Sequence, residues 1–191
     1  MKLLEERIRL EGRVLPGNVL KVDGFLNHKL DIELLDKLGE EFFRLFSGEG
    51  VTKILTVEAS GIALASLAAR YFRVPVVFAK KHKTLNMSKN VISAEVFSFT
   101  HNCVYNVAIA SSFLEEGDKV LIIDDFLADG NAIKGLKQIC EKAGAFVVGA
   151  GIAVEKGFQG GGDRLRESGM RVESLAIVES MDPEKGIAFR V

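Results

Sequence analysis

The chain has 191 residues, of which 48% are hydrophobic, and a formal net charge of −1, which suits a single domain over residues 1–191 with a substantial core. The near-neutral charge argues against bulk attraction to nucleic acid or an anionic membrane, and no apolar stretch is long enough to cross a bilayer. Cys103 and Cys140 form no disulfide framework or metal-binding spacing, and the charged segment MKLLEERIRLEG is unlike a signal peptide, so we expect a cytoplasmic protein.

The first half of the chain predicts a helix, a small lobe and then alternating strands and helices. Residues 3–10 are amphipathic and predict a short helix, whereas residues 14–28 predict an irregular or short-stranded lobe. Asp31 is a candidate N-cap for a helix that ends before Gly48. The next segments predict a buried strand, a small-residue helix and a second strand, at residues 53–57, 62–72 and 75–79.

The second half begins with a ribbon and then returns to alternating elements. Residues 92–100 and 104–111 alternate in polarity and predict two antiparallel strands. The remaining segments predict strand, helix, strand, helix and strand, at residues 120–124, 132–143, 145–154, 164–169 and 172–178. This alternation predicts an α/β fold, with a Rossmann-like parallel sheet flanked by helices. Polar residues follow four predicted strands directly and should converge on one rim of the sheet: Glu58, Lys80, Asp124 and Lys156.

The segment VLIIDDFLADGNA, residues 120–132, has the most informative pattern. Two carboxylates, Asp124 and Asp125, follow a buried strand, and a loop with Gly130 leads into a helix. Ionised carboxylates accept hydrogen bonds from a sugar diol, and the amides of a helix N-terminus bind phosphate. Because alternate strand residues face opposite sides, we expect the strand to end at the acid pair. The alternative is a turn with an N-cap and no ligand.

The same segment resembles the signature with which type I phosphoribosyltransferases bind phosphoribosyl pyrophosphate (PRPP). Four further stretches resemble the purine branch of that family, of the xanthine type: FLNHKLD, VEASGIALA, VPVVFAKKHKTL and IAVEKGFQGGGDRL. The resemblance implies the type I phosphoribosyltransferase fold. It adds a hood lobe, mainly from residues 12–30 and part of the C-terminal region, and a flexible β-ribbon lid at about residues 84–107. The implied reaction moves the phosphoribosyl group from PRPP to N9 of xanthine.

The resemblance implies a role for each part of the motif. Asp124 and Asp125 are assigned to the ribose hydroxyls and, together with Glu58, to catalysis. The 5′-phosphate is assigned to the loop that follows the acid pair, with the residues Ala128, Asp129, Gly130, Asn131 and Ala132. Asn131 stands where the family often has a hydroxyl residue. Asp129 is a carboxylate beside a dianion, so its alternative role is to cap the next helix.

Two further segments are assigned to pyrophosphate by the resemblance. One is the turn after residues 53–57, with Ala59 and Ser60, where the family often has a non-proline cis peptide. The other is the basic run that contains Lys81 and Lys83, which a dimer partner would share. The alternatives are Ser60 as a helix N-cap and the lysines as a solvated surface. Adenine-specific relatives usually carry an arginine where this chain has Ser60, which argues against the adenine branch.

Three residues are assigned to the base: Leu20, Asn27 and Lys156. An ammonium group only donates hydrogen bonds, so Lys156 suits the carbonyl acceptors of xanthine and opposes the amino group of adenine. Phe126 and Phe158 suit either stacking on the base or core packing. Magnesium is expected as the cofactor, carried by PRPP without a protein metal cage, and the chain is expected to form a homodimer. The alternatives are transfer to guanine, hypoxanthine or adenine, and a ligand-sensing regulator without catalysis.

Overall fold

The computed structural model describes residues 1–81, 90–98 and 103–190. The helices are α1 (Lys2–Glu11), α2 (Ile32–Phe46), α3 (Gly61–Phe72), α4 (Asn131–Ala143) and α5 (Gly161–Glu167). The strands are β1 (Arg13–Leu15), β2 (Val19–Lys21), β3 (Lys53–Val57), β4 (Val76–Ala79), β5 (Val91–Ser98), β6 (Cys103–Ala110), β7 (Lys119–Leu127), β8 (Phe146–Lys156), β9 (Val172–Asp182) and β10 (Gly186–Phe189). In the part of the chain described, no helix is long and apolar enough to span a membrane.

The central sheet has the strand order β10-β9-β8-β7-β3-β4. Its strands are parallel except for β10, which pairs antiparallel with β9. The predicted α/β fold with a parallel sheet is therefore confirmed, and β10 is an edge strand that the sequence pattern did not predict. In a parallel sheet the carboxyl ends of the strands share one rim, which is where a ligand site is expected.

Both faces of the sheet are covered, because the apolar residues of β7 alternate between two clusters. Leu121 and Ile123 pack with α2 and α3 on one face. Val120 and Ile122 pack with α4 and the ribbon on the other face. A strand buried on both sides needs a continuous apolar run, which explains the sequence VLII. The same packing fixes the direction in which the end of β7 points.

The predicted end of β7 at the acid pair is wrong. The strand continues to Leu127, since β8 pairs with it beyond the acids: Asp124 lies opposite Ile152, and Leu127 lies opposite Glu155. Backbone hydrogen bonds to the long strand β8 therefore extend β7 through two polar residues that, by sequence alone, indicate the end of a strand. Helix α5 begins at Gly161, earlier than the predicted residue 164. The other predicted strands and helices are present, with ends no more than four residues from those expected.

The segment 12–30 forms a hairpin of β1 and β2 followed by a π-helical turn, Asp23–Asn27. Leu20 of β2 and Phe25 of the turn are buried in the same cluster as α1 and α2. Asp31 caps α2, as predicted: its Oδ1 accepts the Leu34 N–H at 3.1 Å. The lobe thus has its own strand pair, and its buried side chains tie it to the helices beside the sheet.

The ribbon of β5 and β6 packs against α4. Ala94, Val96 and Val107 are buried, and a Cβ added to Gly135 of α4 would lie 2.5 Å from Val96 Cγ2. The base of β6 is also tied to the sheet edge, since Lys80 and Ala108 exchange two backbone hydrogen bonds of 2.9 Å. The predicted lid spans about residues 84–107, of which 84–89 and 99–102 lie outside the described residues. A closing motion there stays a prediction.

Candidate active site

Four strands of the sheet deliver polar residues to one rim. Glu58 follows β3, Lys80 and Lys81 follow β4, the acid pair lies near the end of β7, and Lys156 is the last residue of β8. These strands are neighbours in the order β8-β7-β3-β4. The sequence rule that places polar residues after parallel strands therefore predicts the neighbourhood correctly.

Asp125 connects three of the segments that sequence reasoning singled out. Its Oδ1 accepts a hydrogen bond from Ser60 Oγ at 2.9 Å, and its Oδ2 accepts one from Asn27 Nδ2 at 3.2 Å. Ser60 therefore directs its hydroxyl to the acid pair instead of to the first turn of α3. Residues assigned to base, pyrophosphate and ribose thus share one carboxylate, which places the three proposed subsites side by side.

Asp124 is also buried, 5% exposed, and lies against the turn that starts α3. A Cβ added to Gly61 would stand 2.9 Å from Asp124 Oδ1, so the carboxylate occupies the space that a side chain there would fill. Burial, then the charge of Asp125, raise the pKa of Asp124 well above its ordinary value, and Lys81 opposes this rise. The hydroxyl of Thr56 is buried beside Gly61 without a hydrogen-bond partner among the described residues.

The burial of Asp124 gives a prediction for stability. An acid whose pKa is raised by folding makes the folded state less stable as pH rises above the ordinary value of 3.8. Asp124→Asn removes this ionisation and keeps the shape of the side chain. We expect the variant to be more stable than the wild type at pH 7, and the difference to shrink as pH falls toward about 4, below which the acid is protonated in both states.

Thermal unfolding measured from pH 3 to pH 8 checks this. Asp182→Asn is the control of opposite sign, because Asp182 is exposed and two backbone N–H groups lower its pKa, so its replacement should not stabilise the protein at pH 7. A wild-type advantage at pH 7 that grows with pH would contradict the expected destabilisation by the ionised Asp124.

Glu58 and Lys81 are in direct contact across the ends of β3 and β4. Glu58 Oε1 accepts the Lys81 backbone N–H at 2.7 Å, and the peptide bond between Glu58 and Ala59 is cis, as the family resemblance implied. Lys81 Nζ lies 5.7 Å from the centre of the Tyr105 ring on the ribbon. Glu58 therefore holds the start of the basic run beside the turn assigned to pyrophosphate. Lys83 lies outside the described residues.

The loop of residues 128–132, named here the phosphate loop, leads into the N-terminus of α4. Gly130 has φ +85°, a left-handed conformation that favours glycine. Asp129 turns back onto the helix, where its two oxygens accept the Asn131 N–H at 3.1 Å and Asn131 Nδ2 at 3.2 Å. First-turn amides have no partner within their own helix, so the amide of Ala132 suits an anion, whereas that of Asn131 is already taken by Asp129.

The Asn131 side chain makes contacts other than the predicted one with the 5′-phosphate. Its Nδ2 also donates to the Phe97 carbonyl at 3.1 Å, so both amide protons are used by Asp129 and the ribbon. The sequence-based interpretation gave this amide to the phosphate. In the structure, Asn131 instead links the phosphate loop to β5, and contact with phosphate requires exchange of one of these bonds.

Lys156 crosses from the sheet to the lobe. Its Nζ donates to the Asn18 carbonyl at 2.9 Å and lies 5.9 Å from the centre of the Phe126 ring. Burial lowers the pKa of the ammonium group. Leu20, also assigned to the base, is buried on β2, and Phe158 is 36% exposed. The sequence pattern of Pro16, Gly17 and Asn18 indicates a turn. It does not indicate that the Asn18 carbonyl accepts a hydrogen bond from Lys156.

The described residues contain no group of three or more His, Cys, Asp or Glu side chains that could hold a metal ion. They offer the paired carboxylates of Asp124 and Asp125 instead. Two carboxylates fit a magnesium ion whose other ligands are phosphate oxygens and water. Cys140 is outside this chemistry, because its thiol is buried in the core and burial raises its pKa to about 12.

Comparison with known proteins agrees with this geometry. Residues 22–174 match the family model of the phosphoribosyl transferase domain. The chain belongs to the phosphoribosyltransferase family. This family assignment covers every rim segment described above, from Asn27 in the lobe to Lys156 at the end of β8.

Two relatives of this family extend over essentially the full chain. The chain is 58% identical to a xanthine phosphoribosyltransferase of Bifidobacterium adolescentis, with 100% of both chains covered. It is 54% identical to one of Lachnoclostridium phytofermentans, with 100% of this chain and 98% of the relative covered. The resemblance found in the sequence is therefore confirmed. The solved adenine phosphoribosyltransferase of Rhodothermus marinus has the same fold, with TM-score 0.77, 22% identity, and 93% and 100% coverage.

Proposed function

We propose that the chain transfers the 5-phosphoribosyl group from PRPP to N9 of xanthine and releases pyrophosphate and xanthosine 5′-monophosphate. The observation that supports this best is the shared carboxylate of Asp125, which accepts hydrogen bonds from both Ser60 and Asn27. A substrate whose ribose lies between a base and a pyrophosphate needs the three contacts side by side. The full-length likeness to xanthine phosphoribosyltransferases supports the choice of base.

In this proposal the bond between C1 of the sugar and pyrophosphate breaks, and the bond between C1 and N9 forms. Positive charge develops on the sugar, and the carboxylates of Asp124 and Asp125 bind its hydroxyls and stabilise that charge. The phosphate loop holds the 5′-phosphate through backbone amides. No covalent enzyme intermediate is required, so the site acts by positioning and electrostatics.

The leaving pyrophosphate is assigned to the turn with Ala59 and Ser60 and to Lys81 and Lys83. Glu58 serves this group by holding the Lys81 backbone at 2.7 Å. Magnesium is proposed as the cofactor, carried by PRPP: the carboxylates of Asp124 and Asp125 would help to hold it, and it would supply positive charge for the leaving group. The lysines supply further positive charge at the same place, and the lid proposed for residues 84–107 keeps water from the activated sugar.

The base is assigned to the space between the lobe and the end of β8. Lys156 already donates to the carbonyl of Asn18, and a xanthine carbonyl is the same kind of acceptor. Asn27 both donates and accepts, which suits a base edge of mixed polarity. Phe126, whose ring lies under Lys156, offers an apolar surface for the ring system of the base.

We also propose a homodimer in the cytoplasm. Phe78 on the edge strand β4 and Phe113 after β6 are 40% and 57% exposed and line a groove of about 680 Å³ with Lys80. Exposed aromatic side chains around a groove are typical of protein contacts, and a second copy is the partner proposed for them. Light scattering at several protein concentrations tests the oligomeric state, and a monomer at all of them would refute it.

The proposed activity is tested by incubating the pure protein with magnesium, PRPP and one purine at a time, and following nucleotide formation. We expect xanthine to have the highest kcat/KM, and adenine to be at least about a thousandfold poorer, because its amino group leaves buried donors unpaired. Preferred use of guanine or hypoxanthine would move the assignment to another purine. Binding of PRPP without any nucleotide product would favour the regulator instead.

A further inference from the structure

A run of three glycines, Gly160–Gly162, opens helix α5 directly behind the phosphate loop. A Cβ built on Gly161 would collide with the Ala128 carbonyl oxygen and the Asp129 carbonyl carbon, and would stand 2.7 Å from Gly130 N. All three atoms belong to the backbone, so no side chain can move aside to make room. The backbone of α5 therefore touches the phosphate loop at a position that only glycine allows.

Two side chains of α5 extend this contact. Arg164 Nη2 donates to the Asp129 carbonyl at 3.4 Å. Leu165 is buried, and its Cδ1 lies 3.2 Å from the point where a Cβ on Gly130 would stand. Helix α5 thus contacts residues 128–130 through backbone, guanidinium and an apolar side chain. These contacts hold the loop against the helix.

The helix is itself fixed to the sheet and cannot easily retreat. Glu155 of β8 is fully buried, and its two oxygens accept hydrogen bonds from Arg166 at 3.0 and 2.6 Å. Gly162 lies against the same carboxylate, with no room for a Cβ. A buried, paired charge is costly to break, because it would leave an uncompensated carboxylate. Because α5 is fixed in this way, it can hold the phosphate loop in place.

We propose that Gly161 is a positioning residue for the 5′-phosphate of PRPP. The absence of its side chain lets α5 hold residues 128–130 in the conformation that directs their amides to the phosphate. This inference rests on the proposed function and adds a residue that lies outside the sugar-binding motif. A side chain at Gly161 displaces the Ala128 carbonyl and the Gly130 amide together, so the phosphate contacts weaken while the base contacts stay.

The test compares Gly161→Ala with the matched control Gly48→Ala, since Gly48 has open space around its Cβ position and no positive φ. We expect Gly161→Ala to raise KM for PRPP by about tenfold or more and to change KM for xanthine less than about twofold, because small displacements weaken aligned contacts strongly. Gly48→Ala should match the wild type in both constants. A folded Gly161→Ala protein with unchanged KM for PRPP would overturn the proposal.

Arg164→Met provides a second variant, since Arg164 is exposed and its replacement introduces no steric clash with the phosphate loop. We expect KM for PRPP to rise by about threefold, because the phosphate loop loses one of its contacts with α5, and the melting temperature to fall by no more than about 4 °C. If Gly161→Ala does not fold, an unchanged KM for PRPP in Arg164→Met overturns the proposal. Thermal protection by ribose 5-phosphate is measured for all variants. Protection lost in Gly161→Ala supports the inference even if no purine is a substrate, so the two failures are distinguishable.

Discussion

Replacing both acids, Asp124→Asn with Asp125→Asn, is expected to lower kcat/KM for PRPP by about a hundredfold to ten-thousandfold. The expectation follows from losing two or more charge-assisted hydrogen bonds to the ribose hydroxyls, each contributing about 1.5–3 kcal/mol. It also follows from losing the negative charge of the acid pair beside a sugar that becomes positive in the transition state. The fold should persist, because Asn keeps the shape of Asp and ends the burial of a charged Asp124.

The measurement is steady-state kinetics with PRPP varied at saturating xanthine, together with the melting temperature. Asp182→Asn again serves as the control, because its exposed side chain accepts from the neighbouring turn, Glu184 N and Lys185 N, and not from a residue assigned to PRPP. The single Asp125→Asn variant separates the loss of charge from the loss of all hydrogen bonding at this position. Its amide still offers one oxygen to Ser60 or Asn27, whereas its nitrogen can only donate. Near-normal kinetics of the double variant with an intact fold would refute the ribose assignment.

The rim was predictable because it depends on local patterns and one topological rule. A polar residue follows each apolar run: Glu58 comes directly after Val57, and Lys80 directly after Ala79. Parallel strands bring such ends together. The contacts among these residues were not predictable. Asn27 and Asp125 are 98 residues apart, and their bond depends on how the lobe sits over the sheet. Nothing in the sequence near Asn27 encodes that distance.

Errors arose where a partner element decides the outcome. Asp124 and Asp125 look like the end of a strand, but β8 pairs with β7 as far as Leu127. The Asn131 amide, assigned to the phosphate from the sequence, donates to the Phe97 carbonyl of β5, and its phosphate contact stays a prediction. The glycine run at 160–162 was visible in the sequence, and such runs often indicate close backbone approach. Only the structure identifies the phosphate loop as the backbone that Gly161 approaches.

Removing the ammonium group by Lys156→Met is expected to lower kcat/KM for xanthine by about tenfold to a hundredfold and to leave KM for PRPP nearly unchanged. A charged hydrogen bond to a carbonyl is worth about 1.5–3 kcal/mol, and xanthine offers that carbonyl where adenine has an amino group. Met keeps the apolar length that packs near Phe126. The ratio of xanthine to adenine use should therefore fall, because the loss affects only the base that accepts from the lysine.

Lys156 also donates to the Asn18 carbonyl, so its loss has a structural component that the design must separate. Lys156→Arg retains a positive donor for Asn18, and Lys37→Ala removes an exposed lysine of α2 as the general control. If the lysine only tethers the lobe, Lys156→Met lowers the use of all purines and of PRPP in proportion. If it reads the base, xanthine use falls alone and adenine use does not. Unchanged base selectivity in a stable Lys156→Met protein would refute the role in recognition, because the tether by itself cannot distinguish a carbonyl from an amine.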